Sequence, residues 1–202
     1  MKEFKHLPGL DLIRVFGILV VVFYHYQVET AVRGLCPADF LPAMEPLVQV
    51  AVYTMTLLSG SCLCWQEKSR SWSMKRYLWG RFLAIYPLFW LCFFPIFFYS
   101  DIICGNNEGV APWKLLLSIV GVDGYFQSFT PTFYKIGEWY LGCILFLYAV
   151  FPVLWRMIRR RGVVLAAVGA LFAWLACCFV ENPGQLYPTL IGQLPLFFMG
   201  IF

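Results

Sequence analysis

The 202-residue chain is 61% hydrophobic and 19% aromatic but only 13% charged, with a formal net charge of +4. A soluble domain carries about a quarter of its residues as charges, so the composition excludes a water-soluble globular protein. The small positive charge is no nucleic-acid signature, because no basic and aromatic stripe of a soluble binding face runs along the chain.

A membrane-spanning helix needs roughly 20 mostly apolar residues, and the chain offers six such stretches in order. The first, Leu10–Gln27, follows Lys2 and Lys5 and could pass for a secretory signal. Asp11 and Arg14 interrupt its entry, however, and no small-x-small cleavage site follows, so it reads as a retained span. The second is Leu47–Trp65 and the third Phe82–Tyr99, where Pro87 and Pro95 predict kinks. Trp113–Val122 is too short to cross and reads as interfacial or re-entrant. Gly137–Trp155 and Val163–Val180 are the fourth and fifth spans, and Tyr187–Phe202 is the start of a sixth. The expected fold is therefore an all-α polytopic transmembrane bundle of about six spans in one domain. Because its last span stops in an apolar run, the sequence reads as the front part of a longer protein.

Loop charges set the expected orientation. Lys2, Lys5, Lys68, Arg70, Lys75, Arg76, Arg81, Arg156, Arg159, Arg160 and Arg161 all fall on alternate loops, eleven of the fifteen basic residues. The positive-inside rule puts that side, and with it the N-terminus, in the cytoplasm. The opposite loops hold Arg33, Lys114 and Lys135 with most of the acids. The eight cysteines form no framework and no metal-ligand set. Cys62, Cys64, Cys92, Cys143, Cys177 and Cys178 lie in apolar runs, where cysteine acts as a small hydrophobe. Cys36 and Cys104 lie in two outer loops, and a disulfide between them is one expectation.

Ionisable groups inside a span are functional candidates by default. Arg14 and His25 are eleven residues apart, so they share nearly one face, separated by roughly 16 Å along the axis. Asp11 is placed to pair with Arg14 one turn away. The plain alternative is that Arg14 snorkels to the headgroups and His25 marks the outer helix end. Ser59, Gly60 and Ser61 lie in the cytoplasmic half of the second span, where small residues also serve close helix packing. Arg76 and Arg81 open the third span, suited to a phosphate fork or to ordinary topology. Beside the anchoring aromatics Trp139 and Tyr140, Glu138 is the unexplained group at the fourth.

The order of these residues is more telling than any one of them. Leu10-Asp11-Leu12-Ile13-Arg14 with His25, Leu58-Ser59-Gly60, Arg81-Phe82-Leu83-Ala84-Ile85-Tyr86-Pro87, and Trp139-Tyr140-Leu141 ending at Phe151-Pro152 resemble the acyltransferase 3 family. Phe197-Phe198-Met199-Gly200 looks like a later helix of the same family. Two departures stand out: Ala84 occupies the place of a frequent second arginine, and the family's remaining C-terminal helices lie beyond this sequence.

The resemblance implies a plasma-membrane enzyme of about ten spans that O-acylates extracytoplasmic carbohydrates or other cell-envelope acceptors. Its donor is cytoplasmic acyl-CoA, acetyl-CoA first among them, and its partners are the lipid bilayer and the acceptor. On that pattern Arg14, His25 and Glu138 are the candidate catalytic residues, and Arg76, Arg81, Ser59 and Gly60 the candidate acyl-CoA contacts. Near neutral pH a histidine can take the proton of an acceptor hydroxyl or carry the acyl group itself. Two other readings are a transporter or channel with Arg14 and His25 along a polar path, and an inactive truncated copy.

Overall fold

The computed structural model describes residues 8–68, 73–106, 109–126, 129–179 and 190–201, and among these it is helical with no strand. Lys2, Lys5, Arg70, Glu108, Glu181 and the predicted span ends at Val180, Tyr187 and Phe202 lie outside the described residues. Among the described residues there are six α-helices: α1 Pro8–Val32, α2 Leu41–Lys68, α3 Met74–Phe97, α4 Leu115–Val120, α5 Trp139–Phe179 and α6 Leu190–Ile201. Four of the described helices are long and apolar enough to cross a membrane, beginning at Pro8, Leu41, Met74 and Trp139; Gly192–Ile201 is a shorter apolar helix.

The backbone corrects the sequence reading at one junction. A loop was expected between the fourth and fifth spans, yet α5 runs unbroken from Trp139 to Phe179. Arginine, leucine, methionine and alanine all favour helix, and no proline follows Pro152 before the helix ends, so the basic stretch Arg156–Arg161 extends the helix instead of interrupting it. The predicted kinks also take a specific form. The chain stays α-helical past Pro87, then widens into a π-helical segment, Phe98–Ile103, just after Pro95.

The chain divides into two compact units, Met1–Arg70 with Gly162–Phe202, and Ser71–Arg161. In the first, α2 packs against both α1 and α6. The α1–α2 seam is small and aliphatic, with Val20, Val48 and Ala51 buried and Val21 and Tyr24 beside them. The α2–α6 seam is closer. A Cβ on Gly60 would collide with the Phe197 carbonyl oxygen, and one on Gly200 with the Leu57 carbonyl oxygen. Glycine at both crossing points lets the two backbones touch, as small residues do between membrane helices. Thr56, fully buried, donates to Gln193 Oε1 across the same seam at 2.6 Å.

The second unit is built on an aromatic face of α3. Phe89, Phe93 and Phe97 stack at successive turns and meet Phe133 edge-on, while Trp79, Phe82, Tyr86 and Trp90 form a second ladder. The short apolar stretch folds as a 3-10 turn, Pro112–Lys114, followed by α4, which ends at Gly121 with φ +79°. The last carbonyls of a helix lack intrahelical partners. Here Trp90 Nε1 donates to the Ile119 oxygen at 3.0 Å, and the Tyr86 hydroxyl to that of Val120 at 3.1 Å. Both donors lie in the middle of α3, so the turn reaches well down the helix. Gly124 and Gly142 let it nest against α5; a Cβ on Gly124 would stand 2.5 Å from the Trp139 Cα.

Candidate functional site

Arg14 and His25 belong to the first unit. The Arg14 guanidinium donates to Asp11 at 3.3 Å, as the sequence predicts, and also to Cys62 Sγ on α2 at 2.8 Å. Cys62 was classed as a small hydrophobe; its sulfur is an acceptor only because α2 brings it beside the one arginine of α1. His25 shares the Arg14 helix but is exposed, with its ring edge-on to Tyr24 at 5.9 Å between centroids. His25 is exposed because α1 turns Val20, Val21 and Tyr24 towards α2.

Ser59 and Gly60 differ in their fit to the acyl-CoA assignment. Gly60 is buried at the α2–α6 crossing, which accounts for a glycine there, and the Ser59 hydroxyl donates to the Met55 carbonyl at 2.8 Å. Cys36 and Cys104 are free thiols; Cys36 Sγ lies 3.1 Å from the Thr30 hydroxyl.

The second unit holds Arg76, Arg81 and Glu138. An open groove of about 820 Å³ runs along the start of α3, lined by Ser73, Lys75, Arg76, Leu78, Trp79 and Phe82. Leu78 and Phe82 also line a narrower cavity of about 140 Å³ between α3 and α5, where Arg81 meets Tyr77, Tyr86, Leu145 and Tyr148. The Arg81 guanidinium carbon stands 5.5 Å from the centre of the Tyr148 ring, within cation–π range. The arrangement is an apolar-walled trough with cationic heads at one end, volume enough for a small ligand.

Glu138 sits at the far end of α3's partner helix and is buried, at 2% exposure. Its carboxylate accepts the backbone N–H groups of Lys135 and Ile136 at 3.2–3.3 Å, so it ties down the loop that enters α5. Lys135 in turn reaches across to the buried Asp101 at 2.8 Å and to Ser100 at 3.2 Å, both in the π-helical segment. Asp123, fully buried in the turn after α4, accepts the Ser118 hydroxyl at 2.6 Å. Burial pushes the carboxyls of Glu138 and Asp123 above their usual range, with the Asp123 charge adding to the rise at Glu138 and the hydrogen bonds opposing it in both. Burial also pushes the Tyr125 phenol up, reinforced by Cys143.

Glu138 thus has its oxygens engaged by its own loop, which suits an anchoring role better than proton transfer. The sequence missed Asp101, Lys135 and Asp123, because a loop carboxylate and a loop lysine look solvated until burial is known. The signal for Asp123 was present in its flanking Gly121 and Gly124, the mark of a tight, closely packed turn.

These helices and their polar interiors define a polytopic membrane protein. A profile described as an acyltransferase domain matches residues 7–202, nearly the whole chain, and the chain belongs to the acyltransferase 3 family. It is a membrane acyltransferase. No curated protein and no solved structure matches it.

Proposed function

We propose that the protein moves an acetyl group from acetyl-CoA, presented on the cytoplasmic face of the plasma membrane, to a hydroxyl of a carbohydrate or related cell-envelope acceptor on the other face. The single observation that carries this reading is the family match over 7–202 together with Arg14 and His25 on one apolar helix. The groove at the start of α3 supports the donor assignment. Acyl-CoA is a polyphosphate head on a long arm that ends in a thioester. Lys75 and Arg76 line the groove and Arg81 the cavity next to it, so cations suited to phosphate stand beside apolar walls suited to the arm. Loop charge puts this end of α3 in the cytoplasm.

His25 acts as the general base. It takes the proton of the acceptor hydroxyl while that oxygen attacks the thioester carbonyl. Collapse of the adduct forms the ester and expels the CoA thiolate, which recovers the proton from the imidazolium. Arg14, held by Asp11 and Cys62, is the cation on the donor side of His25, and Ser59 lines the same side. Glu138 serves the reaction at one remove, by holding the outer loop of the second unit.

Membrane vesicles of known sidedness test the proposal. Labelled acetyl-CoA cannot cross the bilayer, so inside-out vesicles containing the protein should accumulate base-labile acetyl label in envelope carbohydrate, and sealed right-side-out vesicles should not. Equal labelling in both would refute the cytoplasmic donor site and the orientation with it.

A further inference from the structure

The second unit contains a device that no part of the proposed chemistry uses directly. Pro152 lies inside α5, and proline has no N–H. The carbonyl four residues earlier, that of Tyr148, therefore loses its helical partner. In a bilayer such a group is costly unless another donor is found. The donor is Tyr77 of α3, buried at 4% exposure, whose hydroxyl reaches the Tyr148 carbonyl at 2.8 Å. The Tyr77 ring stacks on Phe151, 5.6 Å between centroids, so the link is also clamped from the side. Arg81 is four residues after Tyr77 and so lies on the same face of α3. That register sets its guanidinium over the Tyr148 ring.

Three facts converge on one residue: a proline frees the Tyr148 carbonyl, Tyr77 holds that carbonyl and with it the backbone, and the ring on the same residue lies under Arg81. An arginine side chain has many rotamers, and holding it in place beforehand lowers the cost of binding. Ala84 supplies no second guanidinium one turn further on, so the orientation of Arg81 matters more. We propose that Tyr148, locked by Tyr77 and Pro152, is a positioning residue that presents Arg81 to a phosphate of the acyl-CoA donor. This rests on the reading above that Arg81 contacts that donor.

The test is a binding cycle on the purified full chain in nanodiscs, with coenzyme A itself as the probe. Arg81→Ala should raise the Kd about 10- to 100-fold, the loss of a charge-assisted contact. Tyr148→Leu should raise it about 2- to 30-fold, and Tyr148→Phe, which keeps the ring face, should restore most of the affinity. In the Arg81→Ala background Tyr148→Leu should add nothing, since a positioning residue acts only through the group it positions. Equal losses in both backgrounds, or wild-type affinity in Tyr148→Leu, would overturn the positioning role and leave the donor site standing. Wild-type affinity in Arg81→Ala would instead overturn the donor reading of Arg81. Should Tyr148→Leu fail to accumulate, Tyr77→Phe carries the test. It removes one hydroxyl, should raise the Kd at least about 2-fold, and counts against the proposal if it does not.

Discussion

The two units of this protein hold their helices together by opposite means. In the first, helices meet backbone to backbone: Gly60 and Gly200 bring α2 and α6 into contact, and a buried pair, Thr56 with Gln193, links them. In the second, three aromatic donors of α3 reach out to carbonyls of other elements. Tyr77 serves Tyr148, Tyr86 serves Val120, and Trp90 serves Ile119. Each of those carbonyls has lost its partner to a proline or a helix end. A carbonyl freed by a proline or a helix end must borrow a donor where water is absent, and in the second unit the side chains of α3 supply it. Aromatic residues that carry an N–H or O–H supply both the apolar body and the donor.

The largest effect should come from spoiling the backbone contact of the first unit. Gly60→Leu sets a branched side chain against the Phe197 carbonyl, and overpacking of this kind costs about 1–3 kcal/mol or more. Thermal unfolding in detergent should show that loss. Gly80→Ala, at a helical glycine with open space around its Cα, should instead be neutral or add up to about 1 kcal/mol by helix propensity. Similar destabilisation in both variants would mean that glycine content, and not the crossing point, governs this seam.

A smaller effect should mark the polar loop of the second unit. The folded pKa of Glu138 lies above its ordinary 4.5. The folded state therefore binds more protons than the unfolded one over the range between the two values. Stability should fall as pH rises from about the ordinary carboxyl value through the folded one. Glu138→Gln removes this titration, so its midpoint should vary less with pH than that of the wild type, although its amide accepts the Lys135 and Ile136 N–H groups less strongly at neutral pH. Identical pH slopes in the two proteins would show that the carboxyl contributes no protonation linkage to folding.

Much of the architecture was legible because the membrane writes it in length and apolarity. The spans starting near Leu10, Leu47, Phe82 and Gly137 all lie within observed helices or start within two residues of one, and the ten-residue run at Trp113, read as too short to cross, holds only a 3-10 turn and the short α4. What stayed hidden had local causes. Arg156–Arg161 signals a loop by charge but a helix by propensity, and in α5 propensity prevails. Glu138 reads the same whether it moves protons or ties a loop; only the amides of Lys135 and Ile136 tell them apart. The role of Tyr148 could have been suspected from Pro152 four residues on, yet its donor, 71 residues earlier, needed the fold. The Arg14–His25 spacing was plain, while the openness of His25 depends on which face of α1 meets α2.

The central claim is that this membrane acyltransferase works through His25, and one comparison tests it most directly. His25→Ala and His25→Gln are expressed in the full chain, and transfer of labelled acetyl from acetyl-CoA to envelope carbohydrate is measured at equal membrane abundance. Glutamine keeps a polar, hydrogen-bonding group of similar reach but cannot take a proton. Loss of a general base costs about 10²- to 10⁴-fold, so the account predicts that both variants fall by that much and that Gln is no better than Ala. Near wild-type transfer by His25→Gln would contradict it and leave His25 as a structural residue at the end of a spanning helix.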